Sequence, residues 1–116
     1  MYTIQYFIDK FTAIPDENWG RGNLTYAYNP DKHCVLGHCG VRTLPDGAWS
    51  HTEEADALEA IYRTTFAPGT EICSRFMNIC AYYVWRINDR NVTTSTPKQA
   101  VLAFLKERLD ALNQTP

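Results

Sequence analysis

A chain of 116 residues, 45% of them hydrophobic, reads as one domain able to bury a core without disulfide staples. At this size little chain is left over for a large active-site cleft. The net charge of −2, with both signs mixed along the chain, argues against a face built for phosphate backbones, so no nucleic-acid partner is expected.

The opening "MYTIQYFIDKF" has no basic region leading into an apolar run, and no stretch is long and apolar enough to span a bilayer. The expectation is a soluble, cytoplasmic protein without a membrane partner. In that compartment the four cysteines stay reduced. Asn23-Leu24-Thr25 and Asn91-Val92-Thr93 match the glycosylation pattern, but so short a pattern arises by chance.

In chain order, residues 3–14 place Ile4, Phe7, Ile8, Phe11 and Ile14 on one stripe, the period of an amphipathic helix, and Pro15 stops it. "DENWGRGNLTYAYNP" is glycine-rich and then alternates, with Leu24, Tyr26 and Tyr28 on one side, which predicts a short β-hairpin near residues 17–30. "DKHCVLGHCGVR" then fits a helix started at Asn29, with Pro30 in its first turn and Cys34, Gly37, His38 and Val41 on one face. Gly37 and Gly40 each weaken such a helix by roughly 1 kcal/mol relative to alanine, so they mark places where another group comes close.

"SHTE" reads as a capping box opened by Ser50, ahead of a helix carrying Ala55, Leu58, Ile61, Tyr62 and Thr65 and closed by Pro68-Gly69. Thr70 caps the next helix, with Ile72, Phe76, Ile79, Cys80, Tyr83 and Ile87 on one face, broadened by Cys73, Met77 and Val84. The last helix opens with Thr96 as cap, Pro97 at its first position and Gln99 closing the box, and buries Val101, Phe104, Leu105, Leu109 and Leu112. The fold class is therefore mainly α, a compact single-domain bundle of four to five helices.

Three kinds of chemistry compete for the unusual residues. His33-Cys34 and His38-Cys39 carry half of the cysteines and most of the histidines. A zinc site needs four such ligands, and thiolates sharing a metal lie within about 4 Å of each other. Cys73 and Cys80, seven residues apart on a helix, stand about 10 Å apart and can share neither a metal nor a disulfide. Cys34 and His38, at helical i and i+4 spacing, could form a metal or Cys-His nucleophile pair, against the plainer reading of four small buried hydrophobes. "WGRGN" matches no phosphate-binding loop, and Glu53, Glu54 and Asp56 are accounted for by the positive end of their helix.

Aromatic residues make 13% of the chain. Tyr26, Tyr28, Tyr82 and Trp85 fall off the core stripes, and Arg21, Arg42, Arg86 and Arg90 lie near them in sequence. Aromatic planes with arginines suit a flat anionic ligand or a partner's hot spot, and the plainer reading is arginine stems packed on rings.

Trp19-Gly20-Arg21-Gly22, then Cys34-Val35-Leu36-Gly37, then Val84-Trp85-Arg86-Ile87-Asn88-Asp89 leading to the Thr96–Leu105 segment resembles a family of small uncharacterised bacterial and phage domains. The likeness runs from about residue 7 to residue 112. It implies a compact, mainly helical domain and no activity. It implies fixed positions for Cys34 and Gly37, none for His33 or His38, and no counterpart of Cys39, which favours close packing at Cys34-Gly37.

The functional expectation is a non-enzymatic binding module without a cofactor, a phage or mobile-element accessory protein that sequesters a host protein or a nucleotide-like ligand. A homodimer is one assembly the sequence permits. The expected ligand surface is Trp19, Arg21, Trp85, Arg86, Asn88 and Asp89, with Trp85 stacking, the arginines meeting negative charge and Asn88 reading polar edges. The alternatives are a metal-binding or thiol-dependent enzyme centred on Cys34 and His38, and a self-assembling structural component.

Overall fold

The computed structural model describes residues 2–64, 82–89 and 95–113. Helix α1 (Ile4–Thr12) starts where the Thr3 hydroxyl accepts from the Tyr6 N–H at 3.0 Å, and it buries Phe7, Ile8 and Phe11. A single 3-10 turn, Asp16–Asn18, follows Pro15. Helix α2 (Val35–His38) is one turn, α3 spans Glu53–Arg63, α4 (Trp85–Asn88) is again one turn, and α5 runs Pro97–Asn113. Among the described residues strand pairing is confined to isolated bridges, so the fold is mainly α.

Helix α1 lies along α5, which also supports α4, while α3 packs on α1 and α2 wedges against α4 and α5. The core they enclose includes Phe7, Phe11, Val35, Leu36, Val41, Ala55, Leu58, Val101 and Leu105. A chain of rings crosses it. Phe7 stacks on Phe11 at 5.7 Å, Phe11 meets Trp19 edge-on at 5.3 Å, and Trp19 meets His38 at 4.7 Å.

Several expectations are corrected. The helix predicted from Asn29 forms only at Val35–His38, because residues 29–34 are held otherwise: His33 N donates to Asn18 O and Gly20 N to His33 O, a parallel bridge with the Trp19 segment. The hairpin near residues 17–30 reduces to one bridge, Tyr26 with Asn29. The better-formed hairpin turn is at 42–50, where Thr43 pairs with Trp49 across Pro45-Asp46-Gly47 and Gly47 takes the positive φ of 87° that the turn requires.

Helix α3 is capped by Thr52, whose hydroxyl accepts from Ala55 N, rather than by Ser50, whose hydroxyl accepts from Arg42 N. The capping box of α5 is as predicted, with Thr96 and Gln99 exchanging two hydrogen bonds of 3.1 Å. Of its predicted stripe, Val101 and Leu105 are buried, while Leu112 is exposed. Gly37 meets the expectation of close approach: a Cβ there would overlap the Leu24 carbonyl oxygen and stand 2.7 Å from the His33 Cβ.

The helix predicted from Thr70, with Ile72, Phe76, Ile79, Cys80, Cys73 and Met77, lies outside the described residues, as do Thr65, Pro68-Gly69, Arg90 and Asn91-Val92-Thr93. Its expected continuation through Tyr83 is corrected. Residues 82–83 are not helical, because the Tyr83 and Val84 N–H groups donate to the Glu59 carboxylate at 2.8 and 2.9 Å.

Candidate functional site

The His-Cys pairs come first, since they prompt the catalytic and metal alternatives. His33 Nδ1 lies 3.0 Å from the Leu24 carbonyl and His38 Nε2 lies 2.8 Å from the Asn18 carbonyl. A carbonyl oxygen only accepts, so each of these ring nitrogens carries its proton. Burial, against the hydrogen bond to Asn18, pushes the His38 pKa down to about 4, so the ring is neutral at neutral pH. Burial likewise raises the thiols of Cys34 and Cys39 above the ordinary cysteine value. A nucleophilic cysteine needs the reverse shift.

Among the described residues no group of three or more His, Cys, Asp or Glu stands close enough to hold a metal ion. Cys73 and Cys80 lie outside the described residues. Within the described residues the arrangement does structural work. His38 and His33 meet edge-on at 5.2 Å, extending the ring chain of the core and tying the Asn18 and Leu24 loops to α2.

His38 gives a pH prediction. Its folded pKa of about 4 lies below the ordinary 6.5, so between these values the unfolded chain binds a proton that the folded chain does not. Its stabilising contribution is fully present above pH 6.5, is lost as pH falls toward 4, and changes no further below that. Solvent at this half-buried ring limits the loss to about 2 kcal/mol. Urea unfolding at pH 7 and pH 4 should show this drop, and His38→Gln, which can still donate to Asn18 O, should flatten it. An equal slope in the variant would assign the acid sensitivity elsewhere.

Around Cys39 lies a second polar group. Glu54 accepts from Tyr6 Oη at 2.6 Å and from Lys10 Nζ, and the Cys39 thiol also points to it. Burial works to raise the Glu54 carboxyl, but the bonds from Lys10 and Tyr6 outweigh it, leaving the pKa below the usual carboxylate value. Tyr6 is pushed up to about 12, first by the bond to Glu54. This cluster clamps α1 to α3. The acidic first turn of α3 therefore does more than answer the helix dipole.

Among the described residues a concave surface lies elsewhere, between the 42–50 hairpin and residues 82–89. The hairpin holds Trp49 through Leu44 N to Ala48 O at 2.7 Å and Ser50 N to Arg42 O at 2.8 Å, and the residue is 38% exposed. From the facing segment come Tyr82, Tyr83 and Trp85. Trp49, His51, Tyr82, Tyr83 and Trp85 wall a cavity of about 570 Å³, within the range of small-ligand sites. A second cavity of about 230 Å³ is lined by Trp49, Trp85, Leu24, Cys34, Asp89 and the Gly22-Asn23 backbone region. The two tryptophans belong to both.

Tyr82 is fixed in place by its hydroxyl, which donates to Asp56 Oδ1 at 2.5 Å. Burial, then that carboxylate, raises the phenol well above its ordinary pKa. His51 packs on the Tyr82 ring at 4.9 Å, with Nδ1 3.6 Å from the same Asp56 oxygen. Arg86 lies over Tyr83 at 5.0 Å and over Trp85 at 5.9 Å.

The expected ligand surface is thus divided. Trp85 lines the cleft, Asp89 lines its smaller cavity and Arg86 stands exposed beside it. Trp19 and Asn88 are removed from it by burial. Trp19 is 4% exposed, with its Nε1 directed to Ile14 O, and Asn88 is fully buried. Asn88 reads no ligand edge: Oδ1 accepts from Val35 N at 2.9 Å, and Nδ2 donates to Gly20 O and Asp89. Arg21 donates to Ser95 O at 2.8 Å and lines neither cavity.

Trp49, His51 and Tyr83 were not anticipated. A tryptophan just after a Pro-Asp-Gly turn and off every core stripe is the signal that finds the first. No protein-family model, curated protein or solved structure matches this chain, so the site is argued from its own geometry.

Proposed function

We propose that the chain is a non-enzymatic binding module whose ligand or protein partner sits in the cleft walled by Trp49 and Trp85. One observation carries this reading: two indoles from distant parts of the chain wall the same two cavities. Neither indole N–H donates to any group among the described residues, in contrast to Trp19. Indoles that are apolar on one face and unsatisfied at one edge suit a binding hot spot. The setting implied by the resemblance, small bacterial and phage domains, fits an accessory protein that sequesters a host protein. A nucleotide-like ligand is the small-molecule form of the same reading, and the larger cavity has room for one.

The Cys34–His38 enzyme alternative draws no comparable support. Its thiol is held protonated and its imidazole is turned to a backbone carbonyl. The test is a tryptophan-fluorescence titration against a panel of nucleotides and capped peptides. Trp49→Ala and Trp85→Ala should each abolish the response. Trp49 sits on an exposed hairpin, so its variant should unfold within about 0.5 kcal/mol of the parent. A response that survives both substitutions would place binding elsewhere.

A further inference from the structure

We infer that the smaller cavity takes the guanidinium of an arginine carried by a partner peptide, with Asp89 as its counter-charge; this rests on the reading of the Trp49–Trp85 cleft as a binding site. The charge of the lining decides the polarity. Of the described residues around this cavity, Asp89 is the one that carries charge. Cys34, the other ionisable group there, is a buried thiol held protonated by desolvation. Neither Arg21 nor Arg86 lines the cavity, so the anionic ligand that their sequence positions suggest finds no cation among the described residues of its lining. Two indoles and one carboxylate attract a cation instead, through ring faces and a charge-assisted hydrogen bond.

Asp89 is also held in place for such a role. Its Oδ1 accepts from Gly22 N at 3.2 Å and from the buried Asn88 Nδ2 at 2.7 Å. Its second oxygen meets no donor among the described residues. Asn88 is itself fixed by Val35 N and Gly20 O, so the carboxylate is oriented by the core rather than by solvent.

Size points to a side chain on a longer partner. A volume of about 230 Å³ matches seven or eight waters at about 30 Å³ each, enough for a planar side-chain head but not for a nucleotide. The cavity shares both tryptophans with the larger one, which leaves the flanking peptide an aromatic surface to lie on. Arginine suits this better than lysine, because its plane stacks on indole and sheds water more readily.

The test follows the Trp49 and Trp85 indole N–H signals by NMR, assigned with Trp49→Phe and Trp85→Phe. The Trp19 N–H, bound to Ile14 O, is the internal reference. The probes are a capped glycine–arginine–glycine peptide, the same peptide with neutral citrulline for arginine, and adenosine monophosphate. The arginine peptide should shift both signals saturably, and citrulline should bind about tenfold more weakly. Asp89→Asn should produce the same loss, since its amide oxygen keeps the bonds from Gly22 and Asn88. The citrulline comparison needs no variant to fold. Equal binding of the two peptides would overturn the cation assignment, as would adenosine monophosphate shifting both signals while the arginine peptide does not. In either case the cleft would stand as a binding site. No shift with any probe would sink both readings.

Discussion

Glu59→Ala is expected to cost about 3–5 kcal/mol, a large share of the stability of a domain this size. Glu59 is 2% exposed and both of its carboxylate oxygens are engaged. Oε2 takes the Arg63 Nε proton at 2.8 Å, one helical turn along α3. Oε1 takes the Tyr83 and Val84 N–H groups, which lead into α4. Alanine would remove the carboxylate facing a guanidinium that is 3% exposed and leave two backbone donors without their acceptor. Glu59→Gln keeps an oxygen for the two N–H groups and should cost clearly less. The urea midpoints of the two variants measure this. Equal losses would mean that charge, not backbone anchoring, dominates.

The same substitution reaches the cleft. Tyr82, Tyr83 and Trp85 enter it from the segment that Glu59 holds, so loosening Tyr83 and Val84 should weaken ligand binding even in the folded fraction. A stability ion pair on α3 therefore doubles as the support of the candidate site.

The parts of this arrangement legible in sequence are those governed by neighbours along the chain. Helix α1 announces itself by a stripe of apolar residues ended by Pro15, and α5 by a stripe, the Thr96 cap and Pro97, and all of those cues act within a few residues. The cap of α3 is ambiguous because Ser50 and Thr52 are both capping residues and Glu53 stands where it could close a box with Ser50. Tertiary structure decides it by drawing the Ser50 hydroxyl to Arg42 N and the Thr52 hydroxyl to Cys39 O. Nothing local marks Glu59 and Arg63 as buried, since an acid and a base at i,i+4 read as a solvated helix face. The reason for burial lies 24 and 25 residues beyond Glu59, at Tyr83 and Val84.

The candidate site shows the same division. Trp85 is legible in sequence because it falls off the core stripes and Arg86 because it stands beside it, while Asp89 enters with the Trp-x-x-Asn-Asp motif. Trp19 and Asn88 share their motifs but fold inward, since an indole N–H or an amide can satisfy itself on backbone groups that only the tertiary fold supplies. Trp49 carries only a faint local mark, its place after the Pro-Asp-Gly turn and off the core stripes; its significance arises when the hairpin brings it across from Trp85.

Asn88→Asp should be the sharpest single-atom test of the core beneath the cleft. The side chain is fully buried and uses both ends, accepting from Val35 N and donating to Gly20 O and Asp89 Oδ1. An ionised aspartate keeps the shape and the bond to Val35 N but presents an oxygen to two acceptors, one of them a carboxylate. Burial and a like charge both raise the pKa of such a group. With its folded pKa above the unfolded value, the variant is least impaired below the unfolded pKa and loses stability as pH rises through the folded one. At pH 7 the loss should reach about 3 kcal/mol or more. Toward pH 4 a protonated side chain can donate to Gly20 O again, and the gap to the parent should narrow even as His38 lowers the stability of both. Urea unfolding of the pair across this range measures the gap. A gap constant with pH would show that the lost donor, not the buried charge, sets the cost; a negligible gap at pH 7 would mean that Asn88 does not pin α4 to α2.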